Sequence, residues 1–491
     1  MESEQVLALY GFRSKQEFIY RTNRMKEITG ASELIANMFQ QFLEKCTLPL
    51  EKEWKGKQWL GVPSGKCGVV VYEGGGNLCL LFDKRENYLA LNKEFSLYVL
   101  KTAPGLGLLA ASTPYTENFK SDLSKLHASF DKAKRLGSNT EICNVLPYTK
   151  IDRKTFQSIV VEDKIGNDAV ERSKESDIKN KAYDAKAKMN PSWAAEGKFI
   201  DNIGDKKGED SLIAVVYCDG NSIGQKLKEI STIEDMRKFS EEVHRSLVET
   251  PLDGIRHALS SLDEKRRVFR TIIDHGDEIT LIVNAHVVPT ILKAYFEAIE
   301  ETGDYHACAG VAVCHPHDPF AQVYKIAEEC CESAKAKNRK NILSGGNEVS
   351  YVDFHFCRSG ITGSLQQIRD AQEKAFTLRP YAYSSSDSIG FTSFIEAGNS
   401  LMKSKVSRRD IKNLGNIILS GASANPASSS AYLLEMQRLK FKDGTPWKEI
   451  ESIEGLAKED TPKLLFDISG FFDVWFDGGL SQAETEGGSY E

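Results

Sequence analysis

The feature that most restricts what this chain can fold into is that it repeats itself. Near residues 212–219, SLIAVVYCD is an apolar run closing on an acid, the pattern of a buried strand that ends at an active edge. A helical stretch follows near 234–261, with apolar Phe239, Val243, Leu247, Leu252, Ile255 and Leu259. VFRTIIDHGDEITLIVNA (268–285) reads as strand, tight turn, strand, and 287–301 as a helix. HACAGVAVC (306–314) reads as a fourth strand and 319–337 as a trailing helix. This βαββαβ order is the ferredoxin-like split unit.

The first 140 residues run through the same order: strand 6–12, helical 14–45, strand–turn–strand 67–82, helix 88–100, strand 106–113, and a helix ending in FDKAKRLG. Asn77 to Lys134 is 134 − 77 = 57 residues and Asp277 to Lys335 is 335 − 277 = 58, each lysine closing an Ala-Lys pair. The copies part in their acids. Tyr217-Cys218-Asp219 aligns with Tyr10-Gly11-Phe12, and His275-Gly276-Asp277-Glu278 with Gly75-Gly76-Asn77-Leu78, so only the second copy holds carboxylates. One catalytic domain and one scaffolding or nucleotide-holding domain are expected.

Composition narrows the partners. A length of 491 residues suits three or four domains, and 63 basic against 70 acidic side chains (net charge −7) argue against coating nucleic acid by bulk charge. The ten cysteines form no CxxC, so reduced, buried thiols are expected rather than a zinc site or a disulfide framework. The acidic start lacks a secretory pattern, and no apolar run reaches the ~18–20 residues of a bilayer span. A cytoplasmic protein with no membrane partner is expected.

Asp219 ends the first strand of the second copy, while Asp277 and Glu278 sit at the tip of its central hairpin. In a ferredoxin-like sheet those strands are neighbours, so the acids converge at one edge. Clustered carboxylates repel unless a cation joins them, and Mg2+ or Mn2+ suits a few carboxylates plus substrate phosphates. Two such ions can activate a 3′-hydroxyl and stabilise leaving pyrophosphate. The Gly220 carbonyl is a further metal ligand candidate. Gly276 lets the backbone approach a triphosphate, and Lys335 and Arg339 are suited to gripping phosphate. Asn221, Ser222 and His275, beside these acids, complete the nucleotide-binding candidates. Taken singly, each acid is an ordinary turn residue; their matched placement carries the reading. His315 and His317 follow the fourth strand, and a metal role for them is not expected.

The segments LYGFRSKQEFIYRTNRMKEITGASELI (9–35), EGGGNLCLLF (73–82), VVYCDGNSIG (215–224), DHGDEITLIV (274–283), CAGVAVCHPHDPFAQVYKIAEECCESAK (308–335), DFHFCRSG (353–360) and TLRPYAY (377–383) together resemble a known family. It is the large polymerase-cyclase subunit of type III CRISPR effector complexes, which has two palm domains related to GGDEF nucleotide cyclases. The resemblance implies an α+β chain with two ferredoxin-like palms. Its domains would be a degenerate first palm (1–137), a charged connector (138–210), a catalytic second palm (211–360), a helical thumb-like domain (361–480) and a disordered acidic tail (481–491). Within the connector, 171–189 reads as a solvated helix. The aromatic segment LLFDISGFFDVWF (464–476) reads as core.

The family's GGDD turn joins ATP into cyclic oligoadenylates. Carried over, Asp219 and Asp277 look like metal ligands, Glu278 stands at the second Asp, and Lys335 matches the phosphate-contacting lysine. The turn here is HGDE, and Asn221 stands where an acid often follows the first Asp. An HD nuclease and a Cys-rich zinc module have no counterpart in the sequence, so DNA cleavage by an HD domain is not expected. The implied activity is a metal-dependent nucleotidyltransferase that makes a cyclic di- or oligonucleotide messenger from ATP or another NTP in antiviral defence. Two alternatives stand beside it: a structural palm subunit of an RNA-guided complex that docks guide or target RNA and other CRISPR-type subunits, and a nucleotide sensor with little turnover.

Overall fold

The computed structural model describes residues 5–22, 24–52, 59, 61–136, 148–165, 168–189, 211–262, 269–357, 363–372, 376–383, 389–403, 407–421 and 460–476. The chain is mixed α+β, with several sheets and many helices. It divides into two compact units. One comprises Met1–Phe199, Ser222–Val248 and Thr271–Glu278, the other Ile200–Asn221, Glu249–Arg270 and Ile279–Glu491.

In the first unit, β1 (Val6–Arg13), β2 (Leu50–Glu51), β3 (Gly68–Gly74), β4 (Asn77–Phe82) and β5 (Gly107–Pro114) form a sheet of order β2-β3-β4-β1-β5. β1 is antiparallel to both neighbours, Tyr10 standing opposite Leu78 on β4 and Ala110 on β5. Its helices are α1 (Lys15–Tyr20), α2 (Met25–Ala36), α3 (Met38–Lys45), α4 (Arg85–Thr102) and α5 (Phe119–Leu136). Alternation along β1 sends Leu7 and Leu9 to a core with Phe119, Leu123 and Leu126 of α5. Tyr10 and Phe12 point the other way, onto Phe95 of α4, with Phe12 stacked on Phe39 of α3 at 4.9 Å. Both faces of β1 are covered, which is why its sequence is apolar without interruption.

Two more strands, β6 (Ile159–Ile165) and β7 (Asp168–Ser173), make an antiparallel ribbon leading into α6 (Lys174–Met189). The helix falls inside 171–189, but it is not solvated: Glu175, Ser176, Asp177, Lys179, Asn180 and Tyr183 are buried. Its backbone lies so close to α2 that a Cβ on Gly30 would overlap the Lys179 carbonyl. The charges satisfy one another inside. Lys179 Nζ donates to Glu175 at 2.6 Å and to the Phe18 carbonyl at 2.5 Å, and Arg21 pairs with Glu175 at 2.8 Å. A charged composition therefore misled because it does not show which charges pair.

The second sheet contains β8 (Ile213–Gly220), β9 (Phe269–His275), β10 (Glu278–Asn284), β11 (Ala307–Cys314), β12 (Tyr351–Phe356) and β13 (Tyr381–Ala382), in the order β13-β12-β11-β8-β10-β9. A short helix α7 (Ile223–Glu229) precedes the helix expected near 234–261, which is itself divided into α8 (Ile233–His244), a π-helical turn (Arg245–Glu249) and α9 (Thr250–Ser260). Then come α10 (Val288–Glu300), α11 (Phe320–Leu343), α12 (Leu365–Gln372), α13 (Phe391–Lys403), α14 (Arg408–Gly421) and α15 (Thr461–Trp475).

The aromatic segment is core, as its composition suggests: Phe471, Phe472, Trp475 and Phe476 are buried, and Trp475 lies edge-on to Phe354 at 4.7 Å. Within it, buried Asp467 accepts hydrogen bonds from the Arg379 Nε at 3.0 Å and the Tyr381 hydroxyl at 2.7 Å. The nine described cysteines carry free thiols, eight of them buried. Residues 429–440 and the tail 481–491, read as helix and disordered tail, lie outside the described residues. Among the described residues, no helix is long and apolar enough to cross a membrane.

Candidate active site

In the second unit, Asp219 is the next-to-last residue of β8. Its register against β11 places it opposite Cys308. Its Oδ2 pairs with Lys335 Nζ at 2.8 Å, both side chains being partly exposed. The pair depends on how low α11 lies over the sheet. A Cβ on Gly310 of β11 would overlap the Ala327 carbonyl and the Cys331 N–H of α11, so only glycine permits that approach. Tyr217, two residues earlier on the same face, meets Tyr324 of α11. Arg339 lies one turn beyond Lys335, largely exposed, and pairs with Glu332 at 3.7 Å. Asn221 is buried. Its N–H donates to the His306 carbonyl at 2.8 Å, which pins the chain where it leaves the strand.

The first unit holds the other candidates. The β9–β10 turn has Gly276 at φ +68° with Asp277 outside the positive-φ set, the signs of a type II′ turn. The β3–β4 turn has Gly75 and Gly76 both at positive φ, the signs of type I′. The two tips abut: a Cβ on Gly276 would lie 2.7 Å from the Gly75 Cα. Below them, Ser32 of α2 donates to the Ile272 carbonyl, and Lys15 Nζ donates to the Gly76 carbonyl at 3.1 Å. Burial lowers the Lys15 pKa, Glu278 counteracts this, and Lys134 adds to the lowering, so these three charges share one locality. Burial also lowers the His275 pKa, against the pull of Asp274, whose Oδ1 lies 3.1 Å from its Nδ1. Its ring therefore favours the neutral form.

The alignment of the two copies moves by one residue. Tyr217 and Asp219 face the trailing helix α11, but in the first copy it is Leu9 and Gly11 that face the trailing helix α5. A Cβ on Gly11 would lie 2.7 Å from Phe130 of α5 and 2.8 Å from Asn77 Oδ1. Tyr10 and Phe12 face the opposite layer. Left-handed serines confirm the frame: Ser14 (φ +51°) follows Gly11 by 14 − 11 = 3 residues, and Ser222 (φ +57°) follows Asp219 by 222 − 219 = 3. The match to Asp219 is thus Gly11, not Phe12. A slip of one residue exchanges the faces of a strand, and a shared tyrosine was a poorer guide than alternation. The first copy still lacks both acids.

Sequence reasoning passed over Lys15 and Gly310. Lys15 follows the left-handed Ser14 that the register argument identifies. Gly310 had its signal in HACAGVAVC, a glycine interrupting an otherwise apolar strand. All the oxygen donors proposed for a metal suit a hard cation, yet among the described residues no three His, Cys, Asp or Glu side chains are gathered to hold one. Any such ion would draw ligands from substrate phosphate as well.

No protein-family model and no curated protein matches the chain. Solved structures do. Csm1 of T. onnurineus superposes with a TM-score of 0.50 at 12% identity, covering 96% of this chain and 70% of that one. A Csm1–Csm4 cassette in complex with pppApA gives 0.52 at 11% identity, covering 95% and 70%. The cassette in complex with cA4 gives 0.51 at 11%, covering 96% and 70%. Over nearly its whole length, this chain has the fold of Csm1.

Proposed function

We propose that the chain is a nucleotidyltransferase of the palm type that joins ATP, or another nucleoside triphosphate, into a cyclic di- or oligonucleotide. The observation that carries the reading is the Asp219–Lys335 pair at the open end of β8, with a glycine in its place in the first copy. A carboxylate and an ammonium held side by side can serve a metal and a phosphate respectively. The central strand orders β3-β4-β1-β5 and β9-β10-β8-β11 support ferredoxin-like palms at 1–137 and 211–360. The Csm1–Csm4 structures carry ATP, pppApA and cA4, which supports the substrate class.

The donors are hard oxygens of the kind Mg2+ or Mn2+ takes, although no three carboxylates are gathered among the described residues: the Asp219 carboxylate and the Gly220 carbonyl would hold such an ion together with substrate phosphate, and Asp277 and Glu278 are the candidate ligands that the β9–β10 turn carries. Such an ion would supply charge neutralisation on phosphate and a more acidic 3′-hydroxyl. The chain's own side chains do the rest. Lys335, with Arg339 a turn further out, binds triphosphate. Gly276 brings a bare backbone to the nucleotide. In the first palm, Lys15 and Lys134 beside the glycine tip hold the second nucleotide's phosphates, a cationic counterpart to the acids of the second palm.

A second reading has its own support. Similar solved chains are cassettes with Csm4, so a structural role within an RNA-guided assembly, with another CRISPR-type subunit as partner, competes with stand-alone catalysis. Purified protein given each NTP and either metal separates them: cyclic product without RNA supports the first reading, and product only when target RNA and partner subunits are added supports the second.

A further inference from the structure

A carboxylate that serves a metal and a lysine that serves phosphate cannot do both while they hold each other. Asp219 Oδ2 and Lys335 Nζ stand 2.8 Å apart, with only 21% and 16% of their side chains exposed. The pair is shielded from water on most sides, where opposite charges attract more strongly than on an open surface. The Tyr217 hydroxyl lies 3.5 Å from the same carboxylate oxygen.

The helix cannot draw the lysine away. Cys331, one turn before Lys335 (335 − 331 = 4 residues), is where α11 meets Gly310 of β11 with no room for a Cβ. The Cys331 thiol donates to the Cys308 carbonyl at 3.3 Å, and Cys308 stands opposite Asp219. Helix and carboxylate are therefore tied to the same two strands, and only the four-carbon stem of Lys335 can swing. Cys308 adds no anion here: burial pushes its thiol pKa up to about 11, so the group stays neutral. Among the described residues, no three His, Cys, Asp or Glu side chains are gathered to hold an ion. What Asp219 offers a dication is one carboxylate that already holds a cation.

We infer that the Asp219–Lys335 pair is a latch that keeps an uncomplexed dication off Asp219 until a nucleoside triphosphate draws Lys335 away. A dication on either oxygen of this carboxylate would sit beside the ammonium and be repelled by it. A polyphosphate removes that repulsion in two ways: its oxygens take up the ammonium, and they add ligands to the metal. Metal and nucleotide then bind with positive coupling, each raising the affinity for the other. Resting on the nucleotide site proposed above, the latch sets the order in which that site fills: metal enters with the triphosphate, not before it.

The test uses the full chain and Mn2+ alone, with free ion read by electron paramagnetic resonance and Asp219→Asn giving the background from the chain's other acids. Lys335→Met should tighten the Asp219-dependent binding about tenfold, since it removes both the competing ion pair and the repulsion. Lys335→Arg keeps the charge and should bind Mn2+ as weakly as the parent. The Lys335→Met chain should also lose affinity for a non-hydrolysable ATP analogue, so one substitution moves the two ligands in opposite directions. Equal Mn2+ affinity in the parent and Lys335→Met, or no Asp219-dependent binding in either, overturns the latch. Tightened Mn2+ binding by Lys335→Met beside a parent that makes no cyclic product would instead support the latch and refute nucleotidyl transfer.

Discussion

Alanine substituted singly at Gly276 and at Gly75 separates backbone strain from steric overlap at the two hairpin tips. Both glycines sit at similar positive φ, +68° and +58°, so alanine costs each about 1–2 kcal/mol from the left-handed backbone alone. Their surroundings differ. A Cβ at Gly75 meets nothing nearer than the Asn77 amide at 3.8 Å, whereas at Gly276 it lies 2.7 Å from the Gly75 Cα, which is backbone and cannot rotate away. Ordinary contact begins at 3.4 Å, so the tips must part by at least 3.4 − 2.7 = 0.7 Å. Overpacking of that kind adds about 1–3 kcal/mol. Chemical denaturation should therefore place Gly276→Ala below Gly75→Ala by that margin. Because a shift near 1 Å in a reacting assembly costs on the order of 100-fold, pyrophosphate release from ATP should fall far more in Gly276→Ala. Indistinguishable stability and turnover for the two variants would refute the claim that the tips are in contact.

Other outcomes follow from the same geometry. Lys335→Met removes the ammonium but keeps most of the stem; it should weaken binding of a non-hydrolysable ATP analogue about tenfold by calorimetry, with about 1 kcal/mol lost in stability because the pair is partly exposed. Gly30→Ala should push α6 off α2 and disturb the buried Lys179–Glu175 pair, costing about 3 kcal/mol or more in urea melts. Asp353→Asn strands the Arg369 guanidinium, bonded to it at 2.7 and 2.8 Å, and should cost about 3–5 kcal/mol at neutral pH. Although burial raises the Asp353 pKa, Arg369 brings it below the ordinary 3.8. The carboxylate's contribution is then complete above 3.8 and lost as pH falls below it, so the gap between parent and variant should narrow only in that acid range. A gap that does not change with pH would contradict the pairing.

Much of the architecture was legible because it rests on periodicity. The apolar runs at β1 and β8, the glycine turns and the spacing from turn to lysine mark both copies, and the structure contains each expected strand within a residue or two. What was hidden depends on which face a residue takes or which charge it finds. The shared tyrosine of Tyr10 and Tyr217 drew the copies one residue out of register, and only side-chain direction restores Gly11 to the place of Asp219. α6 reads as solvated because pairing between Lys179 and Glu175 leaves no mark in composition. The ribbon β6–β7 and strand β12 escaped for another reason: they extend or adjoin the repeat without belonging to it. Lys15 is an ordinary helix-start lysine until the fold brings it to the Gly76 carbonyl.

The central claim is that the second palm performs nucleotidyl transfer. Its most direct test is mass spectrometry of the products after incubating the purified chain with ATP and Mg2+ or Mn2+, beside Asp219→Ala and Asp277→Ala. The account predicts pyrophosphate and a cyclic oligonucleotide from the parent chain, and neither product from either variant, with both variants folded by circular dichroism. Cyclic product formed at the parental rate by Asp277→Ala or Asp219→Ala would contradict it.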